Sequence, residues 1–267
     1  MEFIKIHAYG NDFLLLSSVE AARSADLALL ARQVCHRHHG IGADGLMVVD
    51  ETASGAATRL LNADGSRSEI SGNGIRCVAA WLAHTRGLDH GDHVIIETEA
   101  GSKQIDILAV DGLTYTCRAA MGEPEDLRQE EIDVADEKVK AVVLRVGNPQ
   151  CVVLGPPSHL TVERLHSVAA RLAVHPFFPE GTNVELATVE APDRIRILIW
   201  ERGVGPTEAS GTGACAAAVA SARFGGAARS SDVVSPGGTQ HVEWNDEGIL
   251  LTGQATLIGR AEAWGRR

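Results

Sequence analysis

The stretch EISGNGIRCVAAWLA, Glu69 to Ala83, decides how this chain is organised, because a close copy of it, EASGTGACAAAVASA, occupies Glu208 to Ala222. Both copies read Glu-x-Ser-Gly-x-Gly and continue into a run of small and apolar residues. Glycines at that point permit a tight turn, and the apolar run after them predicts a helix. We expect the two helices at roughly 73–84 and 212–224.

Further landmarks recur at nearly the same separation. Ser71 and Ser210 are 139 residues apart. Three more pairs recur at a step of 139 or 137 residues: Gly42 with Gly181, Asp44 with Asn183, and Asn11 with Asn148. Several matches in one order and at almost one step indicate a duplicated half.

The sequence around these landmarks alternates between strand-like and helix-like segments. GLMVVD, HVIIETEAG and RIRILIWERG predict strands, and DLALLARQVCHRHHG predicts a helix that ends at glycine. The fold class is therefore α/β (α+β), with two similar halves joined near residues 117–125. We place the N-terminal half at 1–117 and the C-terminal half at 118–256, with a last strand, about 257–267, that returns to the first half.

Each repeated turn predicts an anion site. The first N–H groups of a helix have no partner within the helix, and the helix dipole makes that end positive. A carboxylate or phosphate therefore binds there. Ser71 and Ser210 precede these N–H groups directly, so two facing halves would bring two serines to one small anionic substrate.

The composition excludes several kinds of partner. The chain has 267 residues and a net charge of −11, which argues against a nucleic acid or an anionic membrane surface. Its apolar runs are shorter than the roughly 20 residues that a spanning helix needs. The start, MEFIKIHAYGNDF, lacks the pattern of a signal peptide. We expect a cytoplasmic protein.

Other kinds of site are not indicated. GTGACA does not follow a strand directly, as a dinucleotide site requires, and neither G-K-[ST] nor G-x-S-x-G occurs at the turns. The histidines of HRHHG, 36–39, have no further ligand placed beside them, so no metal site is predicted. Five isolated cysteines, an odd number without C-x-x-C, suggest small buried side chains rather than disulfides.

Six segments together resemble the diaminopimelate epimerases over nearly the whole chain: GNDF, GIGADGL, NADGS with GNGIRC, GNPQCVV, HPFFPEGTNVE and ERGVGPTEASGTGACA. The resemblance implies a cofactor-free amino-acid isomerase with two pseudo-symmetric domains and an active site in the cleft between them. It also implies a homodimer that converts LL- to meso-diaminopimelate for lysine and peptidoglycan synthesis.

This chain departs from the family at its chemical centre. The family uses two cysteines, one to remove the α-proton and one to return a proton, and those positions are Ser71 and Ser210 here. A third departure is Gln150, where the family usually has histidine after GNP. Free cysteine has a pKa near ~8.5, which a helix N-terminus lowers, whereas a serine hydroxyl is a far weaker acid. We therefore expect an inactive or strongly impaired epimerase.

The resemblance leaves the binding groups in place. It assigns amide hydrogen bonds to Asn11, Asn62, Asn148 and Asn183. It assigns the backbone N–H groups for the α-carboxylate to Gly72, Asn73, Gly211 and Thr212. It assigns a charged pair to Glu201 and Arg202.

Two explanations of the serines stay open. One is a deliberate double Cys-to-Ser substitution in an ordinary epimerase, which does not account for Gln150. The other is a natural relative with a different activity, such as another isomerase, a dehydratase, or an amino-acid-binding protein without catalysis.

Overall fold

The computed structural model describes residues 1–135 and 137–264, which form two compact units. Unit 1 contains Met1–Ala119 and the C-terminal segment from Thr252, and unit 2 is Ala120–Leu251. The sequence analysis places these joins at 117/118 and 256/257. Both units combine strands with helices, so the predicted α+β class is confirmed.

Unit 1 is built from strands around one long helix. Two of its strand pairs are parallel, β2 with β3 and β4 with β6, whereas β1 with β2, β3 with β4 and β6 with β7 pair antiparallel. Its elements are β1 Glu2–Ala8, β2 Asn11–Ser17, α1 Ser18–Ala21, α2 Leu27–Cys35, β3 Gly45–Glu51, β4 Gly55–Asn62, β5 Arg67–Ser68, α3 Gly72–Arg86, β6 His93–Thr98, β7 Gly101–Asp111 and β8 Thr114–Gly122.

Unit 2 repeats this order of elements. Its parallel pairs are β11 with β12 and β13 with β15. Its elements are β9 Glu125–Val134, β10 Glu137–Arg145, β11 Pro149–Leu154, α4 Val162–Arg164, α5 Ala170–Ala173, β12 Asn183–Ala191, β13 Arg194–Glu201, β14 Gly205–Thr207, α6 Gly211–Ala220, β15 Ser230–Ser235, β16 Gly238–Asn245 and β17 Gly248–Glu262. A π-helical segment, Leu165–Ala169, joins α4 to α5, and another, Ser221–Gly225, continues α6.

The last strand does return to unit 1. The 256–262 part of β17 pairs antiparallel with β1, from His7 opposite Thr256 to Glu2 opposite Glu262. The end of the predicted 257–267 strand, residues 265–267, lies outside the described residues.

The two helices that follow the repeated turns lie at the centre of their units. All ten residues of α6 are buried, as are eleven of the fifteen in α3. Strands surround each helix, since α3 packs against β1, β2, β4, β6 and β7, and α6 against β10 to β13, β15 and β16. The alanines and glycines that the sequence repeats here let strands approach the helix from several sides.

Strand pairing shifts the alignment of the two halves by one residue from the sequence step of 139. Gly45 lies opposite Phe13 in the parallel pair β2–β3, and Asn183 lies opposite Gln150 in β11–β12. The strand equivalent of Asn183 is therefore Gly45, whereas the sequence step of 139 aligns it with Asp44. The same register makes Met47, opposite Leu15, the counterpart of Glu185, opposite Val152.

The first predicted helix ends earlier than expected. It stops at Cys35, and His36 adopts an extended conformation with ψ of 119°. The imidazole Nδ1 of His36 accepts hydrogen bonds from the backbone N–H groups of His38 and His39, each 3.1 Å long. These bonds form a turn that replaces a last helical turn before Gly40.

The polar stretch 123–140 contains strand. It includes all of β9 and the first residues of β10, which pair antiparallel from Glu137 opposite Val134. Separately, every helix within the described residues is too short or too polar to cross a bilayer.

Candidate active site

Ser71 and Ser210 occupy the same place in their units, the N-cap of the central helix. Their φ and ψ angles agree closely, −127° and 121° in Ser71 and −134° and 131° in Ser210. Each hydroxyl oxygen accepts a hydrogen bond from the backbone N–H three residues on, Gly74 at 3.0 Å and Gly213 at 3.2 Å. Both serines thus cap their helices in the usual way for this residue type. Ser71 is half-buried, whereas Ser210 is only 2% exposed.

The four backbone positions predicted to bind a carboxylate begin the two helices. They are Gly72 and Asn73 in α3 and Gly211 and Thr212 in α6, and all four are buried. Backbone N–H groups in the first helical turn point out of the helix end, where the dipole is positive. Each helix start therefore has the geometry on which the predicted anion site depends, directly beside its serine.

In unit 1, the predicted Asn11 connects the central helix to the loop before β3. Its side-chain amide donates to Asp44 Oδ2 at 2.8 Å, and its oxygen accepts from Asn73 Nδ2 at 3.1 Å. The oxygen of Asn73 in turn accepts from Arg76 Nη2 at 2.6 Å. The structure thus brings Asn11 and Asn73 together, and these bonds fix the orientation of both amides.

A group of charged side chains supports this hydrogen-bond network. Asp12 accepts from Arg37 at 2.9 Å and from Lys5 at 2.5 Å, and Arg37 also reaches Asp44 at 2.7 Å. Burial alone would raise the pKa of Asp12, but the hydrogen bonds and charges of Arg37 and Lys5 outweigh it and lower that pKa. The carboxylate of Asp12 is therefore ionised at neutral pH and anchors the start of β2.

Asn62, the last residue of β4, is half-buried and lies opposite Gly45. Its side-chain amide donates to Ser66 Oγ at 3.0 Å. This bond holds the side chain at the turn between β4 and β5. In unit 2, the register places Glu201 at the matching end of β13.

In unit 2, three amides take the place of the charges of unit 1. Gln150 is fully buried, and its Nε2 donates to Asn148 Oδ1 at 2.5 Å. Asn183 lies opposite Gln150 on the neighbouring strand, and its Oδ1 accepts from the backbone N–H of Arg202 at 2.9 Å. Gln150 therefore orients Asn148.

Arg202 lies beside a cavity of about 340 Å³ in unit 2. Trp200, Arg202 and the loop 178–181 contribute to its wall. The Nη1 of Arg202 donates to the backbone carbonyl of Glu180 at 3.1 Å, which sets the direction of the guanidinium. The structure therefore joins Arg202 to Asn183 and to a space large enough for a small molecule.

Burial keeps four of the five cysteines in the protonated thiol form. All five are buried. Burial raises the pKa of Cys77, one turn into α3, and of Cys151 on β11. Burial also raises the pKa of Cys35 and of Cys117 to about 12. At neutral pH these four thiols stay protonated, so they supply no thiolate. In the described part of the chain, no group of three or more His, Cys, Asp or Glu is placed to hold a metal ion.

One polar residue beside this site was missed by the sequence analysis. Glu185, on β12, is fully buried directly behind the first turn of α6. The signal in the sequence is a glutamate flanked by apolar residues in NVELATV. Burial, and secondarily the charge of Glu201, raises the pKa of Glu185 well above its ordinary value.

The sequence matches one protein family across both units. The diaminopimelate epimerase profile matches residues 3–126 and 142–258. Curated relatives include a diaminopimelate epimerase of Desulforudis audaxviator, 39% identical over 97% of this chain and 97% of that protein. Another, from Heliobacterium modesticaldum, is 36% identical over 98% of this chain and 99% of that protein.

Solved structures of low sequence identity share the fold. A predicted epimerase from Pseudomonas aeruginosa superposes with a TM-score of 0.76 at 15% identity, covering 99% of both chains. A probable proline racemase from Agrobacterium radiobacter gives a TM-score of 0.75 at 16% identity, covering 98% of this chain and 92% of that one.

Proposed function

Since the chain belongs to the diaminopimelate epimerase family, we propose that it binds diaminopimelate as an epimerase does but interconverts the LL and meso forms very slowly. The scaffold is that of an amino-acid epimerase. The two positions at which the family exchanges the α-proton hold Ser71 and Ser210.

The observation that carries this proposal is the matched geometry of the two serines. Each lies at a helix N-cap, where its hydroxyl oxygen already accepts one backbone N–H. A cysteine there would have its thiolate stabilised by the same N–H and by the helix dipole. The hydroxyl of serine stays protonated at neutral pH, and acid–base catalysis loses roughly 10²–10⁴-fold for each group that lacks a suitable pKa.

The binding groups support the substrate assignment. Gly72, Asn73, Gly211 and Thr212 begin the helices and would hold the α-carboxylate through backbone N–H groups. Arg202 would pair with a second carboxylate, and Glu201 with an ammonium group. The amides of the four predicted asparagines, Asn11, Asn62, Asn148 and Asn183, would complete the polar contacts.

The wider assignments rest on the family. We propose a cytoplasmic homodimer that acts in the supply of lysine and peptidoglycan precursors, and that takes neither nucleic acid nor membrane as a partner. The reaction needs only proton transfer between side chains and substrate, so we propose that it proceeds without pyridoxal phosphate, another cofactor or a metal.

A second function is a divergent amino-acid-binding protein or isomerase. The buried pair of Gln150 with Asn148 favours it, because Gln150 is integrated into the hydrogen bonding of unit 2 rather than placed at random. A protein altered only at its two cysteines would not need that change.

Calorimetry and hydrogen exchange together test the proposal. We expect the chain to bind diaminopimelate by calorimetry and to exchange its α-proton in D₂O very slowly by NMR. The double variant Ser71→Cys/Ser210→Cys should accelerate that exchange by several orders of magnitude, because two thiols regain suitable pKa values. Ser17→Cys is the matched control, since Ser17 also caps a helix, α1, away from the site.

The outcomes separate the two functions. Binding with no gain from the two cysteines would favour the divergent binding protein. Tight binding of another amino acid in preference to diaminopimelate would contradict the substrate assignment.

A further inference from the structure

The carboxyl group of Glu185 and the hydroxyl group of Ser210 both lie beside Gly213 in the first turn of α6. Glu185 Oε1 is 2.5 Å from the point where a Cβ on Gly213 would stand, and Ser210 Oγ is 3.1 Å from that point. The two oxygens therefore border the same small space at the N-terminus of α6. A Cβ at position 213 would displace the carboxyl group from there.

Glu185 is buried without the hydrogen-bond or ion-pair partners that usually accompany a buried carboxyl group. Its side chain is 0% exposed, and beyond its own backbone neither carboxyl oxygen has a hydrogen-bond partner among the described residues. A buried charge without a partner is very unfavourable, so such a group keeps its proton. Burial and the charge of Glu201 both raise the pKa of Glu185, and its own backbone amide offsets this only in part. Cys151, on the neighbouring strand β11, lies opposite Val184 and therefore on the other face of the sheet from Glu185, and burial also raises its pKa.

Unit 1 has no such group at the equivalent place. The space beside Gly74 is filled by Met47, whose sulfur is 2.9 Å from the point where a Cβ on Gly74 would stand and whose strand position matches that of Glu185. A thioether neither donates nor takes a proton at neutral pH. The loop of Ser210 therefore has a proton carrier behind it, and the loop of Ser71 has methionine.

We propose that Glu185 is a positioning residue that exchanges protons with the substrate through the hydroxyl of Ser210. This inference rests on the proposed function, because it requires an amino-acid substrate with its α-carbon at Ser210. The ionised carboxylate of Glu185 accepts the hydroxyl proton of Ser210 while Oγ takes the α-proton. The C–H bond breaks, its electron pair stays on the α-carbon, and the reverse transfer restores every bond.

Such a relay requires Oγ and a carboxyl oxygen to come within hydrogen-bond distance when substrate is bound. Catalytic hydrogen bonds are often long in the free protein and shorten in the complex. Since Met47 stands behind the Ser71 loop where Glu185 stands behind the Ser210 loop, the proton leaves and returns at the Ser210 loop. Deuterium from D₂O should then enter with retention of configuration, in either LL- or meso-diaminopimelate but not in both.

The test compares the parent chain with Glu185→Gln by NMR in D₂O. We expect slow α-proton exchange in the parent that rises with pH as Glu185 loses its proton. In Glu185→Gln it should fall about 10²-fold and lose this pH dependence, with unchanged diaminopimelate binding by calorimetry. Glu190→Gln is the matched control, an exposed carboxylate on the same strand, and should exchange like the parent. If Glu185→Gln does not fold, Glu185→Met reproduces the arrangement of unit 1 and takes its place.

Two results would overturn the relay and leave the proposed function standing: binding without any α-proton exchange in the parent, or equal exchange in the parent and in Glu185→Gln. Inversion as fast as exchange would also contradict it, because a second proton carrier would then be needed. Failure of the parent to bind diaminopimelate would remove the proposed function, and the inference with it.

Discussion

The two units share a backbone plan and differ in what lies beneath their serines. Both central helices start with serine caps of nearly equal geometry. Behind one cap lies the sulfur of Met47, and behind the other the buried carboxyl of Glu185. Duplication thus preserved the helix and its anion site, while the strand behind it diverged in chemistry. Equivalent positions in this chain should therefore not be assumed to perform equivalent steps.

A second difference concerns how the predicted asparagines are held. Unit 1 anchors Asn11 among ionised groups, Asp12, Arg37 and Asp44. Unit 2 holds Asn148 with the neutral amide of Gln150. Substitution of Asp12 in unit 1 should thus change how stability depends on pH at low pH, and substitution of Gln150 in unit 2 should not.

The largest expected effect on stability comes from comparing equivalent positions at the start of β4 and of β13. Gly55 is packed so closely that a Cβ would stand 1.9 Å from the carbonyl oxygen of Ile95. Gly55→Ala should therefore lower the free energy of unfolding by about 3 kcal/mol or more. Its counterpart in the register, Arg194, is exposed, and Arg194→Ala should change stability by less than about 0.5 kcal/mol. Urea unfolding of both variants measures this, and equal losses would contradict the packing argument.

The next effect concerns Glu185. Its pKa is raised in the folded state, so above the ordinary glutamate pKa of ~4.3 the unfolded chain loses a proton that the folded chain keeps. Folding stability then falls by about 1.4 kcal/mol per pH unit until the folded group also ionises. Glu185→Gln should thus be more stable than the parent at pH 7 and similar to it at pH 4.

Thermal unfolding across pH 4 to 8 measures that difference. Glu190→Gln should show a small effect of opposite sign, because hydrogen bonds from Arg196 and Arg194 lower the pKa of this exposed group. A Glu185→Gln protein that is less stable than the parent at every pH would show that the carboxyl has partners after all.

A smaller effect is expected at Asp12 in unit 1. Its lowered pKa means that its contribution is fully present above the ordinary aspartate pKa of ~3.9 and is lost as pH falls through the folded value. Asp12→Asn should cost about 2 kcal/mol at pH 7, since it removes hydrogen bonds to two charged groups. The cost should shrink as pH falls below 4 in urea unfolding. Asp111→Asn, at an exposed aspartate that ends β7, should show no such trend.

The smallest effect compares the two caps directly. Ser71→Ala and Ser210→Ala each remove the acceptor for one helical N–H, so each should lower stability by about 1 kcal/mol. Replacement by glycine should cost only a few tenths of a kcal/mol. Denaturant unfolding checks this, and a near-zero cost at either position would mean that the hydroxyl does not cap its helix.

The sequence predicted the parts of this molecule that follow local rules. The repeated Glu-x-Ser-Gly-x-Gly turns indicated both central helices, and the apolar segments indicated the strands next to them. The α+β class and the family follow from the same motifs and are confirmed. The predicted end of α2 was wrong, because it depends on side-chain partners. The imidazole of His36 ends this helix early through two short-range hydrogen bonds.

Glu185 shows why part of the site could not be predicted. A glutamate in a strand is normally taken to face water, because its ionised form is costly to bury. Here β12 has a strand on both sides and α6 on one face, so the position is enclosed. Enclosure of this kind depends on residues far apart in the chain. The roles of the predicted site residues themselves remain predictions until ligand binding is measured.

The close approach of Glu185 to Gly213 also restricts the order in which the two positions can change. While the glutamate is present, a larger residue at 213 would force its carboxyl oxygen to move. A lineage that first exchanged the glutamate for a shorter side chain would be free to alter the glycine afterwards, whereas the reverse order passes through an intermediate in which the buried carboxyl is displaced. The residues that position 213 tolerates should therefore depend on whether position 185 is still a glutamate.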